Sequence, residues 1–193
     1  MRRLLIGGLL IGCAVAICTL SGGAAYQHAR SSIQIAGAGA SRSAVWREIA
    51  WPFPRDGWPA GRAFRCDAYS CGDEVELYVR PKIGFCNCDS GVADDDEVDR
   101  VADLDLMSQR FVPLATGEVI QIDGMSGRSR AYHLDMSDGS ARAAVGFALS
   151  RRCDLLVAVA QGNGSAGGVQ RIAQAFLASE VMARWMTAAL NGG

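Results

Sequence analysis

Glu118-Val-Ile-Gln-Ile122, the turn Asp123-Gly124, Arg128 to Asp135, the turn Asp138-Gly139, Arg142 to Leu149, and Leu155-Val-Ala-Val-Ala160 form the run that decides the fold. Side chains two apart face the same way on a strand, and Arg128 to Asp135 alternates around Ala131, Tyr132 and Leu134. Asp-Gly between alternating runs is a hairpin signal, and the flanking serines lengthen the loops beyond two residues. The run predicts four consecutive antiparallel strands.

Upstream, Val75-Glu-Leu-Tyr-Val-Arg80 alternates in the same way and predicts another strand. Pro81-Lys82 turns it, and Ile83 to Cys86 is expected to return beside it. Asp94-Asp-Asp-Glu97 precedes Val98, Val101 and Leu104, so carboxylates gather where a helix dipole is positive. The acidic run departs from a calcium loop, with no glycine at its sixth place and no closing glutamate. Downstream, Val169, Ile172, Phe176 and Leu177 share one helix face, and Trp185 and Met186 carry the stripe past a break near Ser179. The expected fold class is α+β: an antiparallel sheet of about five to six strands, covered by a long C-terminal helix and a short middle helix.

The domain is expected to span residues 45–193, opening at Val45-Trp46. In Trp51-Pro-Phe-Pro-Arg-Asp-Gly-Trp58 each proline fixes its own backbone and extends its predecessor, which excludes helix. An extended segment pressing Trp51, Phe53 and Trp58 onto the core is expected, with a strip for docking a partner as the alternative.

Four of the seven cysteines, Cys66, Cys71, Cys86 and Cys88, cluster around the Val75–Arg80 strand. Outside the cytoplasm such thiols pair and offset the entropy of a modest core. Cys86 and Cys88 point to opposite faces of any strand, so cross-links between the first pair and the second are expected. Cys71 with Cys86, and Cys66 with Cys88, fit a closed hairpin best. The sharper alternative gives the same four residues to a zinc or copper(I) site, although the spacing departs from a C-x2-C knuckle. Cys153 directly precedes a buried strand and is read as a core thiol, with pairing to one of the four left open.

Arg2 and Arg3 precede an uncharged apolar run from Leu4 to Leu20, which reads as a signal segment or membrane anchor and places the domain outside the cytoplasm. Uncleaved anchoring, cleavage after Gly23-Ala24-Ala25, and lipidation of Cys13 compete. Residues 21–44 are rich in Gly, Ala and Ser, with too little apolar surface to fold, and predict a flexible tether.

The formal net charge of -1 argues against a nucleic-acid binder, which needs basic side chains to neutralise phosphates. Gly162-Asn-Gly164-Ser-Ala-Gly167 matches a dinucleotide loop in spacing, but the following helix leads to no second parallel strand, so it reads as a plain strand-to-helix loop. His133, with Tyr132 and Asp135 beside it, is the one candidate general base for a hydrolase. Ser126 in Gly124-Met-Ser-Gly127 is the nearest approach to a nucleophile elbow.

Trp51-Pro-Phe-Pro, Trp58-Pro-Ala-Gly-Arg-Ala-Phe-Arg-Cys66 and Gly84-Phe-Cys-Asn-Cys88 resemble a family of uncharacterised alphaproteobacterial envelope proteins, and the resemblance spans most of the chain beyond the tether. In element order the chain is similar to PsbP and Mog1 sandwiches. The expected function is an envelope-anchored, disulfide-stapled binding or accessory domain, meeting the membrane through its N-terminus and an envelope protein as partner. No catalytic residue and no cofactor are assigned; metal handling by the cysteine cluster is the alternative, and a hydrolase on His133 the third.

Overall fold

The computed structural model describes residues 44–54, 56–84 and 87–191. The expectations for the segment 1–20, the tether, Cys13 and Cys86 fall outside these residues. Among the described residues no helix is long and apolar enough to cross a membrane.

Eight strands form a single antiparallel sheet: β1 (Trp46–Ile49), β2 (Arg62–Cys66), β3 (Val75–Lys82), β4 (Arg110–Pro113), β5 (Glu118–Ile122), β6 (Met125–Asp135), β7 (Ala141–Arg151) and β8 (Asp154–Gly162). The order is β1-β2-β3-β8-β7-β6-β4, and β5 also pairs with β6. β6 is long enough to hold β5 against Met125–Ser129 and β4 against Tyr132–Asp135 along one edge. The hairpins expected from the Asp-Gly signals link β5 to β6, through Asp123-Gly124 alone instead of a longer loop, and β6 to β7, and a third turn links β7 to β8.

Five helices complete the domain: α1 (Ala68–Cys71), α2 (Asp95–Val101), α3 (Leu104–Met107), α4 (Ala166–Leu177) and α5 (Glu180–Asn191). Asp94 caps α2 by accepting a hydrogen bond from the Glu97 amide at 2.9 Å, as the acidic run implied. Ser165 caps α4 by accepting from Gly168 N.

The structure corrects the expected architecture. The sheet has eight strands rather than five or six, because β1, β2 and β4 are too short and charged to show a period of their own. Ile83 and Gly84, the described part of the expected return, form a turn instead of a strand beside β3. Both its edges are taken, by β2 and by β8, which arrives from much later in the chain. The long C-terminal helix is two 12-residue helices. The backbone turns at Ala178-Ser179, where the Ser179 side chain accepts from Met182 N at 3.4 Å and starts α5. The middle helix is likewise split, at Asp103, whose φ of 59° is left-handed.

The helices take opposite faces. Leu77, Val79, Phe147, Leu149, Leu156 and Ala158 pack with Val169, Leu177, Met182 and Met186 of α4 and α5. Tyr132, Leu134, Ala144, Ala148, Val157 and Val159 pack with Val98, Val101 and Leu104 of α2 and α3. A Cβ at Gly146 would lie 2.9 Å from the Ala102 Cβ, so a bare glycine on β7 sets how closely α2 seats on the sheet.

Candidate functional site

The site lies on β3. Alternation sends Val75, Leu77 and Val79 to the face under α4 and α5, and Glu76, Tyr78, Arg80 and Lys82 to the other. On an edge strand those four would meet water. Here β3 is flanked on both sides, and all four are buried, Arg80 to 2% exposure. Charge in such a place persists only when paired.

The cover comes from Trp51–Pro54 and Asp56–Ala60, which hold neither helix nor strand. The prolines keep this strap extended, and its rings make the contacts. Phe53 and Tyr78 meet edge to face with centroids 4.9 Å apart, and Trp51 meets Phe53 at 5.2 Å. A Cβ at Gly61 would lie 2.6 Å from the Trp51 ring and 2.8 Å from the Arg80 Cβ. Only glycine lets the strap return this close to β3 on its way into β2.

Under the strap Arg80 is clamped by two carboxylates. Its Nη1 and Nη2 donate to Asp56 Oδ1 and Oδ2 at 2.8 and 2.7 Å, and its Nε and Nη2 donate to Asp103 Oδ2 and Oδ1 at 2.7 and 2.8 Å. Two-pronged contacts of this kind are the strong form of the ion pair. Lys82 Nζ donates to Asp103 Oδ1 at 2.7 Å and to the Val101 carbonyl at 2.9 Å, tying β3 to the end of α2. Lys82 also lies 5.6 Å from the Trp58 ring centre, and Arg80 lies 5.8 Å from that of Trp51. Burial opposes the Arg80 charge, but its bonds to Asp103 and Asp56 more than compensate and strengthen its hold on the proton. Hydrogen bonds from Arg80 hold the Asp56 carboxyl down at about 2.

A second cluster occupies the other half of β3. Glu76 lies across from Arg65 on β2 and from Gln161 on β8. It accepts from Arg65 Nε at 3.0 Å, Tyr78 Oη at 2.7 Å and Gln161 Nε2 at 3.0 Å. Burial alone would raise the Glu76 pKa, yet these donors outweigh it and keep it below the ordinary carboxylate value. Burial, then the bond to Glu76, raises the Tyr78 pKa, so the phenol stays protonated. Gln161 Oε1 is buried with no partner among the described residues. Turning that amide over would set its oxygen against Glu76, which fixes its orientation.

The residues singled out in the sequence lie elsewhere. Cys66 pairs with Cys71, five residues on, and Cys88 pairs with Cys153. This replaces the expected Cys71–Cys86 and Cys66–Cys88 links. Asp67 caps α1, whose single turn brings Cys71 back beside Cys66. Those two sulfurs sit near Val75, at the start of β3, whereas Lys82 at its end pairs with Leu155. The chain leaving β3 therefore passes the β7–β8 turn, which carries Cys153. Eight residues of extended strand, about 26 Å at 3.3 Å each, separate the two ends. Cys66, Cys71 and Cys88 are consequently not gathered into one ligand set, and Cys153 is a disulfide partner rather than a core thiol. Among the described residues no three His, Cys, Asp or Glu side chains are grouped to hold a metal ion.

His133 Nε2 lies 3.2 Å from Asp135 Oδ1, on a strand face where both are about half exposed. Ser126 faces β7, and its carbonyl accepts from Ser150 Oγ at 3.0 Å. At the Gly162–Gly167 loop a Cβ on Gly164 would lie 3.0 Å from Asp73 Cγ, so an acidic side chain of this protein already fills the space beside it. Periodicity does not mark Glu76, Tyr78, Arg80, Lys82, Asp56 and Asp103 as site residues. A polar alternation on a strand ordinarily marks a solvated face; the one signal against it was the neighbouring run of rings and prolines, which needs a surface to cover.

Neither family models nor curated proteins match the sequence. Among solved structures the chain is similar to a Pseudomonas aeruginosa protein of unknown function, with 12% identity and a TM-score of 0.36 over 73% of this chain and 85% of that one. A likeness at that score carries no argument about fold or function.

Proposed function

We propose that this chain is an envelope-anchored, disulfide-stapled binding or accessory domain, non-catalytic, with the strap-covered face of β3 as its binding site. The observation that carries the binding role is the buried pairing of Arg80 and Lys82 with Asp56 and Asp103 beneath Trp51, Phe53 and Trp58. Replacing buried ion pairs by apolar residues is often neutral or stabilising, so charge kept there under aromatic cover points to recognition more than to stability. Arg2, Arg3 and the apolar run after them support export, as do two disulfides among the described residues. Asp56 and Glu76 are held as carboxylates, Tyr78 as the phenol and Arg80 as the cation, which suits binding better than proton transfer.

Paired reporter fusions at the C-terminus test the location: a periplasmic reporter should be active and a cytoplasmic one silent. Thiol titration of unreduced, denatured protein should find at most three of the seven cysteines free, seven less the four in the two disulfides. An active cytoplasmic reporter with five or more free thiols would overturn the proposal.

A further inference from the structure

The two carboxylates on Arg80 are not equivalent. Asp103 sits in the turn between α2 and α3, is 12% exposed, and also binds Lys82. Asp56 sits on the strap, is 32% exposed, and has a side chain that binds Arg80 and the nearby Trp58 amide. Arg80 and Lys82 share Asp103, and the seat on Arg80 Nη1 and Nη2 takes a further carboxylate, whose two oxygens lie in one plane. Asp56 provides it from the solvent side. The cleft around it, lined by Trp51, Phe53, Pro54 and Trp58, has about 20 Å³ of free space, enough for one water.

We propose that Asp56 is an internal stand-in for a ligand carboxylate: an organic acid with an apolar or aromatic body displaces it from Arg80 and rests against Trp51 and Trp58. This inference rests on reading the β3 face as the binding site. Arg80 favours a carboxylate over a single-point anion because the fork matches two oxygens. The rings favour a flat apolar body over a wholly polar one. A small free acid and the C-terminal end of a peptide share this chemistry.

The test uses the full chain and its tryptophan fluorescence. The probes are 3-phenylpropionate, its uncharged amide, and acetyl-Gly-Gly-Phe with a free or amidated end. Both acids should bind and both amides should not; a preference for the free-ended peptide over 3-phenylpropionate would identify a chain end as the source. Removing a self-ligand raises the competent fraction, so Asp56→Ala should bind 3-phenylpropionate at least ~10-fold more tightly than the parent chain. Asp56→Asn serves the same comparison if the alanine variant does not fold. Arg80→Lys, which keeps the charge but loses the fork, should weaken binding at least ~10-fold. Equal affinity of the Asp56 variant and the parent, or equal binding of acid and amide, would overturn the inference. Neither outcome touches the compartment, which the reporter fusions test separately.

Discussion

Asp103→Asn is the most informative change to the β3 site. It is nearly isosteric, and asparagine accepts the left-handed backbone that Asp103 holds at φ 59°. What changes is the pairing. Oδ1 accepts from Arg80 Nη2 and Lys82 Nζ, and Oδ2 accepts from Arg80 Nε. Whichever oxygen becomes an amide NH2, it faces a donor. The smallest loss is one bond to a charged group, worth about 1.5–3 kcal/mol. Two buried cations also lose a shared counter-charge, and breaking a buried pair in this way costs about 3–5 kcal/mol. For a domain of this size that corresponds to a fall of about 6–20 °C in Tm. Urea unfolding with the disulfides intact measures it as a lower midpoint at unchanged slope. Arg184→Ala, which removes an exposed i,i+4 pair with Glu180, provides the comparison and should stay within about 0.5 kcal/mol. A loss below about 1 kcal/mol for Asp103→Asn would show that the Arg80–Lys82 charges are not held by Asp103.

The pH dependence follows from Asp56. Its carboxyl is lowered from 3.8 to about 2, so its stabilisation is complete above 3.8 and is lost as pH falls between 3.8 and about 2. Urea midpoints for the parent and Asp56→Asn should therefore differ at pH 5 and converge toward pH 2; a constant gap would contradict the pairing. The disulfides should differ in weight. Chain-entropy arguments give about 4 kcal/mol for the 65-residue separation of Cys88 and Cys153 and about 2 kcal/mol for the five-residue separation of Cys66 and Cys71. Double serine replacements compared by urea unfolding should rank in that order, and the reverse order would oppose the assignment. Gly146→Ala should cost about 1–3 kcal/mol by lifting α2 from the sheet. A neutral result in the same assay would show that α2 has room to shift.

Local chemistry left a plain record in the sequence. The β5–β6 and β6–β7 hairpins are visible because Asp-Gly turns separate runs whose side chains alternate at every second residue. Asp94 opening α2 and the break at Ser179 are equally local, since a cap or a helix end depends on residues within one turn. Trp51, Phe53 and Trp58 announced a segment that must lie against something.

What lay beyond reach depended on strands meeting across long stretches of chain. β8 pairs with β3 after some seventy intervening residues. That pairing sets β3 inside the sheet, where the strap covers Glu76, Tyr78, Arg80 and Lys82, which on an isolated hairpin would face water. It also brings Cys88 to Cys153 and leaves Cys66 to Cys71, against the arrangement expected from proximity along the chain. Periodicity reports which side chains share a face of a strand; only the segments that come to pack on that face decide whether it is wet or dry. The alternation itself was thus written in the order of residues, while the buried charges and the sulfur partners were settled by tertiary contacts.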